Sequence, residues 1–235
     1  MNNQPLLYFL VELRKRLIHC VLALSVLFAV LFYFANDLYT LLALPLLKHL
    51  PQGHGLIATN IVAPFFVPFE LAFFTAIFLA VPFFLYQLWA FIAPALYQHE
   101  RRLVWPLLLM SSLLFYLGMA FAYFVIFPII FGFLTHSAPQ GVMVSPDISQ
   151  YLDFTLKLFF VFGAIFEVPV LTILLIWTGV ATRAQLIKTR PYAIVGAFII
   201  GMLLAPPDVL SQTLLAIPLW LLFELGIFLS RFFKK

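Results

Sequence analysis

Charge is what this sequence has least of. Its 13 Lys and Arg and 9 Asp and Glu make up 9% of 235 residues, whereas 65% are hydrophobic; a soluble globular domain carries about 25% charged residues. A soluble fold is thereby excluded and an integral membrane protein expected. Cysteine is nearly absent: Cys20 stands alone inside the first apolar run, which rules out an intrachain disulfide or a multi-cysteine metal site and leaves packing as its role. No G-x-x-x-x-G-K-[ST] loop, H-E-x-x-H helix or G-x-S-x-G elbow occurs, so nucleotide, metalloprotease and elbow-serine chemistry lack their signatures. The five histidines are scattered, and no metal or other cofactor is expected. Ser111 and Ser112 have no histidine in a catalytic pattern around them, and the chain is expected not to be an enzyme. Any work it performs draws on partners or on the membrane potential, about 2.3 kcal/mol per charge per 100 mV.

What is present is a series of apolar runs, at 17–35, 65–92, 104–133, 151–178, 191–204 and 210–230. Ten-residue alternation of polar and apolar positions is missing, so a barrel is excluded and an all-α, six-span protein is expected, with residues 1–235 forming a single membrane domain. Of the Lys and Arg, all but Lys48 and Lys157 fall on one set of connections, including Arg14, Lys15, Arg16, Arg101, Arg102 and Arg190. The positive-inside rule then puts both termini in the cytoplasm, and Trp89, Trp105 and Trp177 at cytoplasmic span ends, where an aromatic belt belongs. Cations in short tracts beside spans meet lipid phosphates, so a bilayer surface and not nucleic acid is the expected polyanion.

Irregularities mark the spans. Pro82, Pro128, Pro169 and Pro218 each remove a backbone donor and are expected to bend their helices. The fifth run reaches only about 21 Å at helical rise against a hydrocarbon core of about 30 Å, and Glu224 shortens the sixth. In the first outer connection, "LYTLLALPLLKHL" reads either as a short surface helix or as a capped loop.

Candidate functional residues come from the few carboxylates. Glu12 and Glu100 sit among cations on the expected cytoplasmic side, where each offers acceptors for a guanidinium. The plainer alternative for Glu12 is an i,i+4 pair with Arg16. Asp153 and Lys157 have the same spacing and read as an ordinary pair. Glu167 lies near the middle of the fourth run with no partner in its own helix, which makes it either an intramembrane functional site or polar glue between helices.

The stretches "YFLVELRKRL", "FIAPALYQHERR", "FYLGMAFAYFVIFP", "FGAIFEVPV", "RPYAIVGAFIIGMLLAPPD" and "SQTLLAIPLWLLFELG" together resemble the TatC family, the polytopic subunit of the twin-arginine (Tat) protein translocase, over nearly the whole chain. The family's usual His in the first motif is Phe9 here. The resemblance implies a Sec-independent translocase subunit of the bacterial cytoplasmic membrane. It would bind twin-arginine signal peptides of folded precursors and scaffold the translocation complex on a concave, glove-like helical face. Glu12 and Glu100 would accept the arginines, Phe91 would shape the site, Arg14 would support the N-terminal segment, and Arg101 would hold the loop of Glu100. Glu167 would mark the polar floor of the concave face, and Pro45 and Asp208 match positions that matter in the family. TatA- and TatB-type single-span subunits would dock at the short fifth and sixth helices beside Gln212 and Thr213, in an oligomer with other copies. The competing reading from the residues alone is a proton-coupled small-molecule transporter using Glu167.

Overall fold

The computed structural model describes residues 4–47, 56–92, 104–136, 146–204 and 209–231. They form ten α-helices and one π turn: α1 Gln4–Tyr33, α2 Ala35–Leu47, α3 Ala63–Ile92, α4 Val104–Phe121, the π turn Ala122–Ile126, α5 Phe127–His136, α6 Ile148–Phe166, α7 Val168–Trp177, α8 Arg183–Lys188, α9 Arg190–Leu204 and α10 Val209–Leu229. Among the described residues no strand forms, only an isolated parallel bridge between Ile57 and Asp147. Four apolar helical stretches are long enough to cross a membrane: Leu10–Tyr33, Ala63–Phe91, Trp105–Ile130 and Ile148–Trp177. Arg190–Leu203 and Leu215–Leu229 are shorter apolar stretches.

The first span departs from expectation at its start. Leu, Glu, Lys and Arg are all good helix formers, and nothing between Gln4 and Tyr33 breaks the ladder, so the basic tract is the first part of the spanning helix and not a loop before it. Glu12, Arg14 and Arg16 therefore hold fixed positions on a helical surface. A single turn residue, Phe34, separates α1 from α2, so "LYTLLALPLL" is helical, as one of its two sequence readings held.

Proline acts differently at each site. Pro82 and Pro218 sit inside unbroken helices α3 and α10. Pro128 cannot donate to the carbonyl four residues back, and the turn just before it widens to π, with the Phe127 N–H bonded to Ala122 O. Pro169 likewise leaves Ile165 O without its usual donor, and the fourth span breaks at Glu167 into α6 and α7. The break is tight, with Glu167 N–H donating to Ala164 O at 3.2 Å and Leu171 N–H to Glu167 O at 2.9 Å. α10 has the 21 residues of the sixth apolar run, shifted by one, and its more apolar part runs from Leu215 to Leu229 with Glu224 inside it.

The chain gathers into two compact units. One comprises Met1–Leu44, Ile57–Ser112 and Asp147–Ser149. In it α1 packs along α3, with Phe28 edge-on to Phe69 and Phe73 at centroid distances of 5.2 and 5.8 Å. The outward side of α1 is apolar and exposed, Val21, Val26 and Val30 among others, as a lipid-facing helix requires. Trp89 does not join an aromatic belt: it is 5% exposed and packs inside this unit, whereas Trp105 is 64% exposed and tilts against Tyr86.

The other unit comprises Pro45–Leu56, Leu113–Pro146 and Gln150–Lys235. Ile165 of α6 forms a buried cluster with Ala197 of α9 and with Ala216 and Leu219 of α10. Small residues set the helix spacing, as expected where van der Waals packing drives association. A Cβ on Gly118 would sit 2.5 Å from Phe162 O, and one on Gly201 2.9 Å from Gln212 O. Between α8 and the preceding turn, Thr182 and Gln185 form a reciprocal capping box that satisfies two orphan backbone donors.

One ion-pair expectation changes, and one pair was not expected. Asp153 and Lys157 are both exposed and form no ion pair among the described residues, since a surface pair gains too little to hold two long side chains. Glu224 instead accepts from Arg190 Nη2 at 2.6 Å, closing the α9–α10 hairpin at the start of one helix and the end of the other. Both side chains keep solvent contact, so Glu224→Gln should shift unfolding free energy by about 0–1 kcal/mol. Thermal unfolding in detergent checks this, and a shift several times larger means the pair is shielded.

Candidate functional site

Charged groups of the first unit converge where α1 approaches the end of α3. Helical spacing puts Glu12 and Arg16 one above the other, and Arg16 Nη2 and Nε both donate to Glu12 Oε1, at 2.6 and 3.1 Å. Arg16 also reaches α3: Nη1 donates to Gln87 Oε1 and Nη2 to Ala90 O, each at 3.1 Å. The Glu12–Arg16 pairing expected from spacing therefore exists, but it is one half of a cross-helix junction. The two side chains are only 20% and 22% exposed.

Beside this junction lies a cavity of about 560 Å3 lined by Val11, Glu12, Lys15, Arg16, His19, Phe83, Tyr86 and Gln87. Its walls are mostly apolar, with one carboxylate, two cations and an imidazole among them. Both Arg16 bonds fall on Oε1 of Glu12, and among the described residues no hydrogen bond to Oε2 is seen. The arrangement places one carboxylate acceptor beside an apolar wall, with the Lys15 and Arg16 cations next to it.

The remaining sequence candidates are dispersed. Phe91 is half-buried at the end of α3, one residue past the Ala90 carbonyl that Arg16 caps. Arg14 is exposed on α1, on a different face from Arg16. Glu100, Arg101 and Asp208 lie outside the described residues. Pro45 falls in the last turn of α2. Glu167 sits at the break between α6 and α7 with its Oε1 buried. Gln212 Nε2 donates to Phe198 O at 3.0 Å and Thr213 Oγ1 to Val209 O at 2.7 Å, so both form bonds inside the α9–α10 hairpin.

One carboxylate was not singled out from the sequence. Asp147, 8% exposed, accepts from Thr59 N–H at 2.9 Å and Thr59 Oγ1 at 2.6 Å through Oδ2, and from Ser149 N–H at 2.8 Å through Oδ1. It is the N-cap of α6, and next to it Ile148 N–H bonds Ile57 O at 2.9 Å. Burial, and then the negative charge of Asp147, push the Tyr39 phenol above its ordinary pKa. The cue was in the sequence, an Asp immediately before an apolar helical run.

A chain whose described residues form almost only helices, several of them apolar and of membrane length, is a multi-pass membrane protein. The family model for "Sec-independent protein translocase protein (TatC)" matches residues 8–218. The chain belongs to the TatC family, which makes it a subunit of a protein translocase and not an enzyme. It is 60% identical over 232 residues to the Sec-independent protein translocase protein TatC of Escherichia coli (strain K12), covering 99% of this chain and 90% of that one. It is 57% identical to the protein of that name from Haemophilus influenzae, covering 99% and 91%, and 42% identical to that from Aquifex aeolicus, covering 97% and 95%. A crystal structure of the twin-arginine translocase receptor TatC superposes with a TM-score of 0.85 at 41% identity, covering 97% of this chain and all of that one.

Proposed function

We propose that this chain is the receptor and scaffold of a twin-arginine translocase: it binds the signal peptides of folded precursors at the α1–α3 junction and performs no catalysis. The observation that supports this most directly is Glu12, held on Oε1 by Arg16 while lining a largely apolar cavity of about 560 Å3. A signal peptide combines paired guanidinium groups with an apolar segment, and the cavity offers a counterpart for each. Glu100 supplies the second acceptor, Phe91 and Arg14 shape the approach, and Arg101 holds the Glu100 loop. Six spans form one membrane domain in a bacterial cytoplasmic membrane, with both termini cytoplasmic. The α9–α10 hairpin receives TatA- and TatB-type single-span partners near Gln212 and Thr213, and several copies assemble together. Glu167, Pro45 and Asp208 serve the passage of cargo or the docking of partners. Nothing in the relatives favours a proton-coupled small-molecule transporter.

The test is binding of a fluorescent twin-arginine peptide to the full chain in nanodiscs. A charge-assisted hydrogen bond contributes about 1.5–3 kcal/mol, so Glu12→Gln should weaken binding about ten- to hundredfold while a twin-lysine peptide stays weak on both proteins. Equal affinity of wild type and Glu12→Gln for the twin-arginine peptide would refute the assignment.

A further inference from the structure

We propose that Arg16 is a positioning residue for signal-peptide recognition: it holds Glu12 in one orientation by anchoring it to the end of α3. The inference rests on the reading of Glu12 as an acceptor and says how that acceptor is made ready.

Residue 94 is a proline and carries no N–H, so the Ala90 carbonyl, in the last turn of α3 as far as it is described, has no donor four residues on. Arg16 Nη2 fills that place at 3.1 Å, and its positive charge lies at the negative end of the α3 dipole. The guanidinium has five N–H donors, and four are engaged: two on Glu12 Oε1, one on Ala90 O and one on Gln87 Oε1. A group so saturated is a poor ligand for an incoming anion, so its value to the site lies in geometry.

That geometry falls on Glu12. A lone i,i+4 pair on an open helix surface leaves the carboxylate many rotamers, and a ligand must then restrict them on binding. Here two N–H groups of one guanidinium converge on Oε1, and the same guanidinium is bonded to α3 at Gln87 and Ala90. Glu12, which lines the cavity, is thereby tied through Arg16 to the part of α3 that ends beside Phe91. A planar incoming guanidinium meets a pre-set oxygen, whereas an ammonium gains less from a fixed direction because its three donors rotate. Arg16 thus contributes to the preference for arginine over lysine, as well as to affinity. Lysine in its place cannot replace it, since one ammonium does not span Glu12, Gln87 and the Ala90 carbonyl with a planar fork.

The experiment uses the full chain in nanodiscs, with labelled twin-arginine and twin-lysine peptides and a thermal unfolding scan on each variant. Arg16→Lys should weaken the twin-arginine peptide about tenfold and leave the twin-lysine peptide nearly unchanged, so that discrimination shrinks by a similar factor. Gln87→Leu, which removes one anchor and keeps the Glu12–Arg16 pair, should move both readings the same way by a smaller factor. Gln87→Glu, which keeps an acceptor there, should stay near wild type. Should Arg16→Lys fail to fold, the two Gln87 variants decide. The inference is overturned if Arg16→Lys and Gln87→Leu bind like wild type while Glu12→Gln loses affinity, and equally if both peptides weaken in parallel with discrimination unchanged, as loss of general structure would give. If Glu12→Gln also binds normally, the fault lies with the assignment of the site.

Discussion

Gly226→Leu is expected to destabilise the fold by about 3 kcal/mol, because no room for a side chain exists at that position. A Cβ there would land on Thr172 Oγ1, with Pro169 Cα only 3.0 Å and Thr172 Cβ 3.1 Å away. Thr172 cannot simply turn aside: its hydroxyl donates to Pro169 O at 2.8 Å and is buried. Pro169 backbone is equally fixed, because it starts α7 just after the break at Glu167. The strain must therefore move α10 away from α7, opening a contact built by small residues. Overpacking a tight core costs about 1–3 kcal/mol and occasionally more; a whole isobutyl group against backbone belongs at the upper end, about 3 kcal/mol. Gly226→Ala should show a milder form of the same loss, and adding Thr172→Ala should recover part of it by removing Oγ1. The control is Gly196→Ala in α9, where nothing lies within 4 Å of the added methyl. That change should be neutral or stabilising, since alanine is favoured over glycine in a helix by about 1 kcal/mol. Thermal unfolding in detergent separates the two cases. Equal melting of Gly226→Leu and wild type would show that α7 and α10 are not packed in this way.

Much of this was legible in the sequence because membrane burial writes long, uniform signals. Apolar runs located the four membrane-length helices, and the two most disruptive prolines, Pro128 and Pro169, marked the π turn and the α6–α7 break. Helix starts were harder: charge ended the first apolar run at residue 17, yet charged residues with good helix propensity carry the same helix back to Gln4. The Glu12–Arg16 pair follows from local spacing. Its anchoring to Gln87 and Ala90 does not, because contacts 71 and 74 residues apart leave no periodicity to read. The pairing of Glu224 with Arg190 was hidden for the same reason, and Trp89 shows that an aromatic at a span end is as readily core as interface. The close-packing glycines were invisible. Gly196 and Gly226 look alike in sequence, and only the neighbouring helix distinguishes open space from a collision.

Asp147→Ala should be the most damaging loss of a single polar group. One carboxylate takes three hydrogen bonds, two from Thr59 and one from Ser149, while largely shielded from water. Bonds to a charged group contribute about 1.5–3 kcal/mol each and an N-cap about 0.5–2 kcal/mol. The bonds share one acceptor and are not additive, so the expected loss is about 3 kcal/mol. Asp147→Asn separates the roles: its one carbonyl oxygen can keep Ser149, as a good N-cap does, while its amide nitrogen cannot accept from Thr59. It should fall between wild type and alanine. The phenol of Tyr39 gives an independent reading. Burial first and Asp147 second raise its pKa in the folded chain, so its contribution to stability is complete below the unfolded value of about 10 and fades as pH rises through the folded one. Removing the Asp147 charge should lower the folded value but leave it above the ordinary phenol, because burial is the larger cause. Alkaline titration by ultraviolet absorbance, read for Tyr39 as the difference between each protein and its Tyr39→Phe counterpart because the chain has nine tyrosines, measures both effects beside thermal unfolding of the three proteins. If alanine at 147 melts like wild type and Tyr39 titrates unchanged, the carboxylate is not holding the 57–59 segment to the start of α6.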